Sequence, residues 1–140
     1  MALIPLTKIP ERTARPRTSG LTMIMDKGLS VAEAENLISA GKPYIDVVKL
    51  GFGTSYVTPD LEKKISTYLD AGIALYFGGT LFEAYLMRGQ MEDYIASVKS
   101  FGMTHVEISD GSITIPHNEK CKCIERFAKE GFTVFSEVGS

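Results

Sequence analysis

Asp46-Val47-Val48-Lys49-Leu50-Gly51-Phe52-Gly53-Thr54-Ser55 is the stretch that decides the fold: an apolar run ends in a lysine and then in a glycine-rich clause. Four other stretches repeat the form, at Met25-Asp26-Lys27-Gly28, Phe77-Gly78-Gly79-Thr80, Ile108-Ser109-Asp110-Gly111-Ser112 and Glu137-Val138-Gly139-Ser140. Strands of a parallel sheet are covered on both faces and read as nearly continuous apolar runs. Ionisable groups gathered at one end of successive runs are therefore not explained by packing. They read as the floor of one active site.

Working outward, the pattern predicts strands over residues 21–27, 44–50, 73–77, 105–110 and 133–137, with helices over 30–39, 59–70, 81–101 (interrupted near Gly89) and 118–129. Ser30 with Glu33 forms a predicted capping box, Thr58-Pro59 supplies a cap and a first-turn proline, and Gly41, Gly72, Gly102 and Gly131 stand at helix exits. Strand-helix alternation of this kind builds an open doubly wound sheet or a (β/α)8 barrel. Alternation within the strands favours the barrel. Lys27 shares a face with Met25 and Met23, Lys49 with Val47 and Ile45, and Glu137 with Phe135 and Thr133, and barrels keep their chemistry at the C-terminal ends of their strands.

The predicted fold class is therefore α/β, of the (β/α)8 TIM-barrel family. A full barrel takes about 250 residues, so this chain of 140 is expected to cover about the first four and a half units. The barrel domain is predicted over 21–140 and an N-terminal arm over 1–20, where Pro5, Pro10 and Pro16 alternate with Arg12, Arg15 and Arg17 without an apolar period. The expectation is either a longer protein or a half-barrel that pairs. Its first and last strands would be open edges, so a homo-oligomer is expected.

Composition excludes several functions. With 44% hydrophobic and 23% charged residues the chain is an ordinary globular sequence, and a net charge of −2 provides no basic field for a nucleic acid. No apolar stretch approaches the roughly 20 residues that cross a bilayer, and Pro5 breaks the N-terminal run too early for a signal peptide, so no membrane partner and a cytoplasmic location are expected. Cys121 and Cys123 are two apart in a predicted helix, pointing apart, and read as reduced thiols.

Lys27 and Lys49 are the sharpest candidates. An ammonium at the mouth of a parallel barrel is costly unless it meets an anion, the alternative being an ion pair with Glu107 or Glu137. Gly51, Gly53, Thr54 and Ser55, and Gly78, Gly79 and Thr80, follow strands and precede helices, where bare amides hold phosphate or carboxylate. Glu107, Ser109, Asp110 and Glu137 offer oxygens suited to Mg²⁺ or to orienting the lysines. Glu107 and Ser109 fall on one face of the strand and Asp110 on the other. Glu83 reads as a complement to the helix dipole or as a site residue, and His105 and His117 as structural.

Taken in order, Gly20-Leu21-Thr22-Met23 leading to Asp26-Lys27-Gly28-Leu29, the Asp46–Ser55 run, Gly78-Gly79-Thr80-Leu81-Phe82-Glu83, Val106-Glu107-Ile108-Ser109-Asp110-Gly111 and Glu137-Val138-Gly139 resemble the phosphosulfolactate synthase family. The likeness is to its N-terminal half and runs from about Arg15 to the last residue. The resemblance implies a barrel lyase that adds sulfite to phosphoenolpyruvate with Mg²⁺, giving (2R)-phospho-3-sulfolactate on a route to coenzyme M. It implies catalytic roles for Lys27, Lys49, Glu107 and Glu137, substrate binding by Gly51, Gly53, Thr54, Ser55, Gly78, Gly79, Thr80 and Ser109, and metal binding by Glu107 and Asp110. Where a family member carries a basic residue after Glu-Val-Gly, this chain has Ser140, and the later strands that commonly bind phosphate are missing, so the chain alone is expected to be inactive. Plant relatives of the same barrel, associated with heat tolerance, supply the alternative of a non-catalytic, stress-associated binding protein.

Overall fold

The structure, a computed structural model, describes residues 4–138. Five short parallel strands alternate with helices in chain order: β1 (Met23–Asp26), α1 (Val31–Gly41), β2 (Val47–Leu50), α2 (Leu61–Asp70), β3 (Ala74–Phe77), α3 (Gly79–Met87), α4 (Met91–Ser100), β4 (His105–Ile108), α5 (His117–Lys129) and β5 (Thr133–Ser136). β1, β2 and β3 form one parallel sheet in that order, and β4 pairs with β5 in a second. The predicted alternation is present, with each strand shorter than expected. Lys27, Ser109, Asp110 and Glu137 consequently stand on the turns just beyond the strands.

Register explains which residues meet. Met23, Val47 and Ala74 form one row across the first sheet and Met25, Lys49 and Tyr76 the next, while Ile24, Val48 and Leu75 face the other way. That second face joins the helices in one core with Ala34, Ile65, Tyr68, Phe82, Tyr94 and Phe127, all screened from water. The Met23 and Met25 face carries no helix, and these two side chains remain 46% and 38% exposed. The main apolar core therefore lies on the helix side, while Val47 and Tyr76 are buried on the other face beside the charged residue of β2.

Helix ends follow the sequence in part. Ser30 and Glu33 make the capping box at the start of α1, with Glu33 N–H donating to Ser30 Oγ at 3.2 Å and Ser30 N–H to Glu33 Oε2 at 2.8 Å. Gly72, Gly102 and Gly131 leave their helices at φ +74°, +69° and +92°, and Gly89 at +66° divides α3 from α4. Gly41 differs: its φ is −112°, because α1 runs on into a 3₁₀ turn at Lys42–Tyr44 rather than stopping. Thr58-Pro59 does not cap α2 either. A second 3₁₀ turn, Thr54–Val57, claims Thr58, whose Oγ1 donates to Thr54 O at 2.8 Å, and α2 starts after Asp60 in a left-handed conformation.

The end of the arm is fastened to the rest. Arg17 donates to Asp46 Oδ1 at 2.9 Å and to Pro43 O at 2.8 Å, while Arg15 donates to Lys42 O at 3.0 Å and to Gly72 O. These contacts lie at the N-terminal ends of β2 and β3, opposite the glycine-rich clauses. No helix among the described residues is long and apolar enough to cross a membrane.

Candidate active site

The row Met25, Lys49, Tyr76 continues across β3 into the second sheet through side chains alone. Lys49 Nζ lies 2.7 Å from Glu107 Oε1 and 3.7 Å from Glu137 Oε2, so one ammonium collects two carboxylates from β4 and the turn after β5. Glu107 Oε1 also accepts the Gly79 N–H at 2.8 Å, and its Oε2 accepts the Tyr76 hydroxyl at 3.3 Å. The Phe135 ring sits 5.1 Å from the Tyr76 ring and covers the cluster from β5. Burial, with the neighbouring Glu107 carboxylate, pushes the Tyr76 hydroxyl pKa up, so it stays a hydrogen-bond donor.

Glycine at positions 78 and 79 follows from this crowding. A Cβ at Gly79 would overlap Ser109 Oγ and stand 3.0 Å from Glu107 Oε1, and one at Gly78 would stand 3.0 Å from Lys49 Cε. Only bare backbone admits the lysine and the glutamate to the start of α3. The anion at that helix N-terminus is the protein's own Glu107 carboxylate, whose charge complements the helix dipole. Thr80 is exposed and, with Gly53, lines a separate cleft of about 510 Å³ between the Thr54–Val57 turn and α3.

The turn after β2 is ordered from within. Gly51 N–H donates to Asp26 O at 2.8 Å, and Thr54 returns both its N–H and its Oγ1 to Gly51 O, at 3.1 and 2.8 Å. Ser55 Oγ is buried and has no hydrogen-bond partner among the described residues. Lys27 stands exposed above Phe52, its Nζ 5.3 Å from the ring centroid, in a cation–π contact rather than an ion pair. The two candidate lysines thus have different surroundings: Lys49 is enclosed by acids and Lys27 faces solvent.

Asp110 does not join Glu107. Its Oδ1 takes Lys120 Nζ at 2.7 Å, and the same ammonium donates to the Glu137 carbonyl at 2.6 Å, tying the turns after β4 and β5 together. Among the described residues no cluster of three or more His, Cys, Asp or Glu side chains gathers. Cys121 and Cys123 are free, the former exposed. His105 stacks on Phe135 at 5.8 Å and burial lowers its pKa. Gly139 and Ser140 lie outside the described residues.

Three polar residues belong to the cluster's support that sequence reading passed over or misplaced. Tyr76 was readable only as an apolar strand residue, although its place opposite Lys49 was available once the register was known. Lys120 looked like any surface lysine of α5 and is buried instead. For Glu83 the sequence offers either a complement to the dipole of a helix starting at Leu81 or a site residue. α3 begins two residues earlier, which moves Glu83 into its second turn, buried, where it binds the turn after β4.

A parallel α/β chain with helices on one face and a cation held between acids at the carboxyl ends of its strands belongs to the class of α/β proteins that keep their sites at that rim. The chain belongs to the (2R)-phospho-3-sulfolactate synthase (ComA) family, which it matches over residues 10–140. It is 40% identical over 133 residues to the phosphosulfolactate synthase of Bacillus subtilis and 38% identical over 132 residues to that of Methanothermobacter thermautotrophicus, covering 95% and 93% of this chain. The phosphosulfolactate synthase of Methanocaldococcus jannaschii is 41% identical over 122 residues, 86% of this chain. The chain spans about half the length of these relatives, 52%, 51% and 49% respectively.

Proposed function

We propose that this chain forms the N-terminal half of a (β/α)8 barrel phosphosulfolactate synthase, a lyase-type enzyme that joins sulfite to phosphoenolpyruvate. The observation that carries the reading is Lys49 seated at the strand ends between Glu107 and Glu137. In the addition, the sulfite sulfur bonds to C3, the double-bond electrons move toward the substrate carboxylate, and a proton reaches C2. Negative charge grows on that carboxylate, and preorganised cations are what such a transition state needs. Lys49 supplies one, oriented by its two acids, and Lys27 on the neighbouring turn supplies a second to the phosphate or carboxylate. The open methionine face and the β1 and β5 edges await the remaining strands or another copy.

Mg²⁺ is proposed as the cofactor, and the donor set admits it on one condition. Asp110 commits a single oxygen to Lys120, and Glu107 Oε2 carries only the 3.3 Å bond from Tyr76. Mg²⁺ accepts one or two carboxylates when water and substrate phosphate complete its shell. Glu107 would hold it through Oε2, Asp110 being drawn away to Lys120, and when bound it would help to neutralise the anionic substrate. The test is an assay of the complete protein encoded with this chain, with phosphoenolpyruvate and sulfite, following the product by mass. Phosphosulfolactate forming only with both substrates is expected, and no product with both present and Mg²⁺ added overturns the reading.

A further inference from the structure

The ladder is continuous from β1 to β3 and again from β4 to β5, and between β3 and β4 it is absent. Two carboxylates cross that gap in opposite directions. β4 sends Glu107 to the Gly79 N–H at the start of α3, and α3 sends Glu83 back to the turn that follows β4. Glu83 Oε1 accepts from Ser109 Oγ and from the Gly111 N–H at 3.0 Å, and Oε2 accepts from the Ser112 N–H at 2.8 Å and from Ser112 Oγ. At 2% exposure, Glu83 finds four donors on one short segment and no cation among the described residues. A buried carboxylate is retained only where such donors replace its water.

We propose that Glu83 is a positioning residue of this site: with Glu107 it forms a reciprocal clasp across the β3–β4 gap that holds the Ser109–Ser112 turn down and keeps Glu107 against Lys49. The clasp pivots on Gly79, whose missing side chain lets Ser109 Oγ and Glu107 Oε1 approach the same point. Release of Glu83 frees Ser109, two residues from Glu107 on the same strand end, and no backbone bond to β3 stops β4 from shifting. The lysine then loses its nearer acid without being touched itself. Tyr76 also reaches Glu107 Oε2 from β3, at 3.3 Å, but among the described contacts only Glu83 binds the Ser109–Ser112 turn to α3, since Lys120 ties Asp110 to the β5 side.

The inference rests on the proposed function only for its kinetic arm. In the complete protein, Glu83→Gln keeps the size and removes the charge, and Ser112→Ala removes one donor as a milder variant. Amide exchange at Gly111 and Ser112 is expected to quicken about ten-fold or more, the factor matching a lost bond to a charged acceptor. Exchange in α1 and α2 should stay as in the parent. Lys49 should be acylated several-fold faster by an amine-directed reagent, and kcat should fall more than KM rises. Unchanged exchange at Gly111 and Ser112 overturns the clasp. Faster exchange with Lys49 labelling unmoved overturns the positioning role and leaves a structural turn anchor. A parent protein without turnover defeats the proposed function, and exchange and labelling then judge the clasp by themselves.

Discussion

Of the lysines that meet carboxylates at strand ends in this protein, two do so on opposite faces of the same sheet. Lys64, on α2, reaches Asp26 behind β1 at 2.8 Å with side-chain exposures of 1% and 0%. Asp26 is saturated there, accepting also from Tyr68 at 2.9 Å and from the Gly28 and Leu29 amides, each at 2.8 Å. Lys49, on the open face, has a buried partner in Glu107 and a loose one in Glu137, whose side chain is 58% exposed. The first group is closed in every direction and holds a turn in shape. The second keeps one side open, and that difference separates a structural ion pair from the proposed site.

Energetics should separate them as sharply. Removing one partner of the sealed pair leaves a buried charge alone, so Asp26→Ala is expected to cost about 3–5 kcal/mol in denaturant unfolding. Pairing Asp26→Leu with Lys64→Met should recover the ion-pair part of that loss. Lys49→Ala should cost far less stability but lower turnover of sulfite and phosphoenolpyruvate by about 10²-fold or more, the size of a lost charge-stabilising group. If Asp26→Ala and Lys49→Ala lose stability equally, or Lys49→Ala turns over normally, the contrast between the two pairs fails.

Smaller effects sharpen the picture at its margins. Arg17→Ala should lower stability by about 1–2 kcal/mol in the same unfolding experiment, for its charge-assisted bonds to Asp46 and the Pro43 carbonyl. Acid should act on the carboxylates. Burial opposes ionisation of Asp26, but Lys64, the Gly28 and Leu29 amides and Tyr68 outweigh it and hold its pKa low, while burial of Glu83 is outweighed by Ser109, Ser112 and the amides of Ser112 and Gly111. A carboxylate with a depressed folded-state pKa lends stability that is whole above the unfolded value and lost as the pH falls through the folded one. Melting temperature should therefore drop below about pH 4, and less steeply in Glu83→Gln. Glu125→Gln, at an exposed pair with Lys129, should leave the melting temperature unchanged.

The strand-helix order, the Ser30 capping box, the break at Gly89 and the glycine exits at 72, 102 and 131 were all legible in the chain, because each depends on neighbours within a few residues. Lys49, Glu107 and Glu137 were legible as strand-end charges and as alternative ion-pair partners, but that Lys49 rather than Lys27 takes both acids was not. It depends on which strands stand side by side and on the register that sets Lys49 opposite Tyr76. α2 starts after Asp60 rather than Thr58 because the preceding 3₁₀ turn takes the Thr58 hydroxyl, and α3 starts at Gly79 rather than Leu81, where the tertiary partner Glu107 accepts the Gly79 N–H.

What the sequence alone determined is the alternation of elements and the family, since apolar period, capping and motif order are properties of a line of residues. Which of its charges are structural and which face an open site was decided in three dimensions. Asp26 and Lys27 are adjacent in the chain and point to opposite sides of the sheet, one sealed by Lys64 and one left in water. Period two assigns a residue to a face, but only packing of helices on one of the two faces says which face is closed.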